Sequence, residues 1–110
     1  MNTGLTQRDL DTLAQAAAQF PAIEQVLIFG SRAKGSHKKG SDVDLALKGR
    51  AVTDTVVNAL SALLNEQLPL PYFFDVVHYD GLASPALVEH IDRVGQVIYG
   101  REKSSSNAGP

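Results

Sequence analysis

The chain has 110 residues, 44% of them hydrophobic and 20% charged, enough for one domain that buries about two thirds of its unfolded surface around a single core. With no cysteine, a disulfide framework, a zinc-thiolate centre and a thiol nucleophile are all excluded. Ten Lys and Arg against twelve Asp and Glu leave a net charge of -2, the wrong balance for a protein that coats nucleic acid, so no direct nucleic-acid binding is expected.

In chain order, Leu5, Leu10, Leu13, Ala14, Ala17 and Phe20 recur at helical spacing, with Thr6 placed to cap the helix and Pro21 just past its end. Ile23 to Phe29 is apolar and partly β-branched and runs straight into Gly30, the pattern of a buried strand that must turn sharply. The polar segment Ser31 to Ser41 follows, opening in a short helix. Asp42 to Leu47 then alternates as a second strand. Thr53 and Asp54 can cap a second long helix with the stripe Val56, Val57, Leu60, Leu63 and Leu64, ended before Pro69 and Pro71. Tyr72 to His78 reads as a third strand. Ser84 followed by Pro85 opens a last helix that should run to about Tyr99 and stop at Gly100.

The expected fold is therefore α/β: a small three-stranded mixed sheet packed with about four helices, which cover one face and leave the other open. Residues 1–100 should form a single domain and residues 101–110 a flexible C-terminal tail, because Ser104 to Pro110 has nothing to bury. The start of the chain lacks a basic region followed by an apolar run, and no later run approaches the ~20 residues of a membrane span. A cytoplasmic location without a membrane partner is expected.

The chemistry lies between Gly30 and Asp75. Side chains alternate along a strand, so Asp42 and Asp44 share one face with Cα atoms ~7 Å apart, while Val43 and Leu45 point to the core. Like charges held this close destabilise one another unless a cation lies between them. Asp75 stands in an otherwise apolar strand, where an unpaired charge would be costly. The three carboxylates make a hard, all-oxygen donor set suited to Mg²⁺, with Mn²⁺ as a substitute. Two such ions ~4 Å apart can clamp the attacking and leaving oxygens of a phosphoryl transfer. Gly30 lets the backbone approach a phosphate closely, and the Ser31 hydroxyl and neighbouring N–H groups can donate to a triphosphate. Four of the ten basic residues, Arg32, Lys34, Lys38 and Lys39, crowd this loop, and Arg32 is the best placed to meet phosphate.

Other motifs fail on their own residues. Gly30 to Gly35 begins like a Walker A loop but continues Ser36-His37 in place of Lys-Ser/Thr. An EF-hand opening at Asp42 has Leu47 where glycine belongs and Thr53 where Glu belongs. The bland alternatives are a solubility role for Asp42 and Asp44 on an edge strand, and an ion pair between Asp75 and an arginine such as Arg93. His37, His78 and His90 show no ligand spacing and read as ordinary histidines.

Gly30-Ser31-Arg32, with ten residues between Ser31 and Asp42, then Ser41-Asp42-Val43-Asp44-Leu45 and a later Asp75 among hydrophobic residues resemble the minimal nucleotidyltransferases of the DNA polymerase beta-like superfamily. The likeness covers roughly Ile23 to Tyr99. It implies Mg²⁺-dependent transfer of AMP from ATP to a hydroxyl with release of pyrophosphate. Catalysis and metal binding would fall to Asp42, Asp44 and Asp75, and nucleotide binding to Gly30, Ser31 and Arg32. It also implies a partner, since many of these enzymes are antitoxins that silence a helical HEPN ribonuclease toxin by attaching AMP, and the expected acceptor is a tyrosine hydroxyl. Two alternatives stay open: a catalytically silent antitoxin that masks its partner, and AMP transfer to a small-molecule hydroxyl. Candidate docking faces are the last helix (Leu87, Ile91, Val94, Ile98) and the Pro69 to Pro71 segment.

Overall fold

The three longest helices of the protein begin where a side chain replaces a missing backbone acceptor. In a computed structural model, which describes residues 3–38 and 40–101, helix α1 (Gln7–Ala18) opens with a capping box. The Thr6 hydroxyl accepts the Asp9 N–H at 3.0 Å and the Asp9 carboxylate accepts the Thr6 N–H at 3.2 Å. Thr53 caps α3 (Asp54–Ala62) by accepting the Val56 N–H. Ser84 caps α4 (Pro85–Val94) by accepting the Leu87 N–H, with Pro85 opening the helix. Helix α2 (Gly30–Lys34) is a short insert directly after strand β1 (Gln25–Phe29).

The sheet has four strands in the order β3-β2-β1-β4. Strand β2 (Val43–Lys48) runs antiparallel to β1 and parallel to β3 (Phe74–His78), and β4 (Gln96–Gly100) pairs antiparallel with β1. The mixed α/β architecture is as expected; the number of strands is not. Residues 96–100 form a strand where a continuing helix was expected. The spacing of Leu87, Ile91, Val94 and Ile98 keeps a helical period across Gly95, which misleads. At Gly95 a Cβ would run into the Ile91 carbonyl oxygen, and the β-branched and aromatic run Val97-Ile98-Tyr99 suits an extended chain. Without β4, the buried strand β1 would present an open row of backbone donors and acceptors.

Both faces of the sheet are packed. On one, Val26, Ile28, Val43, Leu45, Leu47 and Phe74 meet Leu13, Ala16 and Ala17 of α1 and Leu60 of α3. On the other, Leu27, Phe29 and Ala46 meet Ile91 of α4. Helices thus do not keep to a single face, and only part of the second face stays open. Helix α3 passes into a π-helical turn (Leu63–Gln67) before the chain returns to β3. Of the expected tail, Arg101 is held to the domain, its N–H donating to the Glu24 carbonyl at 2.8 Å, and residues 102–110 lie outside the described residues. No helix among the described residues is long and apolar enough to cross a membrane.

Ile91 is fully buried and joins α4 to the sheet. Truncation in Ile91→Ala should cost about 2–5 kcal/mol in urea unfolding, whereas Val97→Ala, at a half-exposed edge position, should stay within about 0.5 kcal/mol.

Candidate active site

Register across three strands assembles the site. Phe29 of β1 stands opposite Asp44 of β2, and Asp44 opposite Asp75 of β3. Because neighbouring strands lie about 4.8 Å apart, two carboxylates project side by side from one face, the face that also carries Phe29 and Ala46. Asp42, two residues before Asp44, joins them from the loop. Asp42 and Asp75 are exposed and Asp44 is half-buried. The Asp44 carboxyl is pushed above the ordinary carboxylate range, first by burial, then by the negative charges of Asp75 and Asp42, with His90 acting in the opposite direction.

Gly30 has φ +74°, a left-handed conformation that costs an L side chain about 1–2 kcal/mol. A Cβ there would also collide with the Asp44 carboxylate oxygen. Glycine therefore lets the turn between β1 and α2 lie directly against Asp44. Phe29 offers no side-chain cap to α2, leaving the donors of its first turn without an intrahelical acceptor. Ser31 lies in that turn.

His90 was read as ordinary from the sequence; the fold brings it to the site. Its Nε2 accepts the Gly30 N–H at 3.2 Å, and its ring meets Phe29 edge-on with centroids 6.1 Å apart. Sixty residues separate donor and acceptor, so no local pattern could have announced the contact. Asn65 is a second residue that carries no local signal of its role. Its Oδ1 accepts the Phe74 N–H at 2.8 Å and its Nδ2 donates to the Phe74 carbonyl at 2.9 Å. The start of β3, next to Asp75, is thereby clamped to the π-helical turn.

Arg32 has a different place from the one expected. It is buried, with 4% of its surface exposed. Its Nε and Nη2 donate to the Ser41 carbonyl at 3.1 and 2.8 Å, its Nη1 donates to the Thr3 carbonyl at 2.7 Å, and its guanidinium lies 5.2 Å from the centre of the Tyr72 ring. It fastens the loop immediately before Asp42 instead of reaching outward for phosphate. Lys34 and Lys38 are exposed. Asp75 likewise escapes the burial cost expected of it, because β3 is an edge strand. Arg93 does not pair with it; the Arg93 Nε bonds to Glu89 at 3.1 Å.

Among the described residues, no three acidic or histidine side chains are already gathered as a metal-ligand cluster. The three carboxylates nevertheless suit a hard divalent cation, since their mutual repulsion is what such a cation relieves. Asp42, Asp44 and Asp75 would hold it.

A glycine turn thus packs on one of several aligned carboxylates at the open part of an α/β sheet. Residues 11–104 match the polymerase beta nucleotidyltransferase family model, and the chain belongs to that family. No curated protein matches the sequence. Among solved structures, a toxin-antitoxin complex with AMP-PNP superimposes with a TM-score of 0.68 at 21% identity, covering 88% of this chain and 75% of that one. A tri-AMPylated Shewanella oneidensis HEPN toxin in complex with MNT antitoxin gives 0.61 at 17% identity, covering 88% and 74%. A Sulfolobus solfataricus chain described as a nucleotidyltransferase gives 0.52 at 22%, covering 86% and 78%. At these identities the likeness is one of fold.

Two outcomes follow from the site's electrostatics and its anchoring. Because the folded-state pKa of Asp44 is raised, ionisation of Asp44 opposes folding as pH rises above the ordinary aspartate value of 3.8. Asp44→Asn should therefore melt above the parent protein at pH 7 in metal-free buffer, and the gap should close as pH falls towards 3.8. Arg32→Ala should cost about 2–4 kcal/mol in chemical denaturation, since buried carbonyls lose a charged donor. Lys34→Ala should be nearly silent in the same assay.

Proposed function

We propose that the protein is a Mg²⁺-dependent adenylyltransferase that moves AMP from ATP onto a tyrosine hydroxyl of a HEPN-type toxin, and so acts as its cytoplasmic antitoxin. The observation that carries this reading is the packing of Gly30 against Asp44, in register with Asp75. Phosphate-approachable backbone and carboxylates meet there on the same open stretch of sheet. Two solved structures of this fold support it: one holds AMP-PNP and another an AMPylated HEPN toxin.

The residues divide the reaction between them. The turn at Gly30 and Ser31 receives the phosphates, its position set by the Gly30 N–H bond to His90 Nε2 and by its close packing on Asp44. Asp42, Asp44 and Asp75 would hold Mg²⁺, as two ions, with Mn²⁺ as a substitute. Bound Mg²⁺ supplies charge neutralisation on the phosphate oxygens and eases ionisation of the attacking hydroxyl. Asp75, exposed on the edge strand, takes the hydroxyl proton. The acceptor oxygen forms a bond to the α-phosphorus as the bond to the bridging oxygen breaks, and pyrophosphate leaves. Positioning and electrostatics do most of this work, with no covalent enzyme intermediate.

Incubation of the protein with Mg²⁺, ATP and its HEPN-type partner should add AMP to a partner tyrosine, detected by mass spectrometry, and chelation of the metal should abolish the modification. Asp75→Asn and Asp44→Asn should each lower the rate about a hundred- to a thousandfold, the kinetic equivalent of several kcal/mol of lost charge stabilisation. A partner silenced at equal stoichiometry but carrying no AMP would establish the masking role instead. Modification of small-molecule hydroxyls alone would make this a small-molecule adenylyltransferase.

A further inference from the structure

Phe73 is the most exposed large hydrophobic side chain among the described residues, with 58% of its surface open. Its neighbours fix its direction. Tyr72 and Phe74 pack with the core on one face of the sheet and meet edge-on at 6.1 Å. Alternation therefore sends Phe73 and Asp75 to the opposite face. The Phe73 carbonyl accepts the Val43 N–H at 2.9 Å, which continues the β2 to β3 ladder by one step and sets Phe73 beside Asp42. Asn65 holds both backbone groups of Phe74, so Phe73 and Asp75 flank a fixed residue. An aromatic ring thus stands free beside the carboxylate row, where a charged or small side chain would leave less apolar surface in water.

Its place in the sheet indicates what it meets. The Gly30 turn follows β1, on one side of β2, and Phe73 leads into β3, on the other. On the adenylyl-transfer reading, on which this inference rests, pyrophosphate departs on the side of the Gly30 turn. Displacement at phosphorus is in line, so the attacking hydroxyl enters from the opposite side. That side is β3, with Asp75 as proton acceptor and Phe73 two residues before it. We infer that Phe73 is the acceptor-side anchor of the enzyme: its ring packs against the polypeptide segment that delivers the hydroxyl. The chain thereby recognises its acceptor through one aromatic contact at the rim of the metal site.

The test uses Mg²⁺, ATP and the HEPN-type partner. Phe73→Ala should raise the KM for the partner about tenfold or more, as loss of an aromatic interface anchor does. The melting shift with Mg²⁺ and ATP, and kcat at saturating partner, should stay within about twofold of the parent, as expected of a residue that contributes only to acceptor binding. Phe73→Glu should be more damaging and Phe73→Leu should restore most of the affinity. Weakened ATP binding with an unchanged partner KM would overturn the inference and make Phe73 a nucleobase platform. Unchanged kinetics in every variant would overturn it as well. Failure of the adenylyl reading itself shows differently: the wild-type chain then modifies no partner, and the inference falls with it.

Discussion

The site depends on the registration of β2 between its two neighbours. Phe29, Asp44 and Asp75 stand in one row across three strands. A slip of one residue would turn Asp44 into the core and Val43 or Leu45 to solvent. That slip is opposed from both faces. Val43, Leu45 and Leu47 are buried against α1 and α3, and Ala46 against α4. Hydrophobic packing thereby sets the position of the charges, and the Asp44 carboxyl is pushed above its ordinary range first by burial and then by the charges of Asp75 and Asp42. A group strained in this way by its neighbours is well suited to cation binding, because the ligand relieves a repulsion that folding created.

Around that row, polar side chains act mainly on backbone. Arg32 grips the Ser41 carbonyl ahead of Asp42, Asn65 grips Phe74 ahead of Asp75, and His90 accepts the N–H of the glycine that packs on Asp44. Each clamp lies within one residue of a proposed reacting group or in contact with it. Of the loop lysines, Lys34 and Lys38 are exposed, and Lys39 lies outside the described residues. Loop segments that would otherwise vary are thus tied to the rigid sheet, the arrangement that positioning catalysis requires.

Much of this was legible in the residues, for local reasons. Thr6, Thr53 and Ser84 announce helix starts through contacts three residues long, and the alternation at Asp42 and Asp44 is a property of any strand. The family resemblance rested on Gly30 and Ser31, on Asp42 and Asp44 after a ten-residue gap, and on the later Asp75, and the family assignment agrees with it. What stayed hidden is what tertiary structure alone determines. The run Val97 to Tyr99 carries strand-forming residues, yet the helical spacing of Ile91, Val94 and Ile98 masks them until β1 is seen to need a partner. Arg32 looks like a phosphate ligand by its position after Ser31, but the carbonyls that bind it belong to Ser41 and Thr3. Asp75 looks buried because its neighbours are apolar, a reading that changes once β3 is known to be the sheet's edge. The docking residues expected at Leu70, Leu87 and Val94 pack on core clusters, and Ile98 does so from a strand.

The Asn65 clamp has a consequence for how another protein can approach. An edge strand invites a guest strand to add to the sheet through its outward backbone groups. At Phe74 those groups already bond to the amide of Asn65, which occupies the place of a guest at the end of β3 nearest Asp75. Recognition by strand addition is therefore blocked at that point. A segment approaching Asp75 must come over the face of the sheet, in a helix or a loop, and be identified by its side chains.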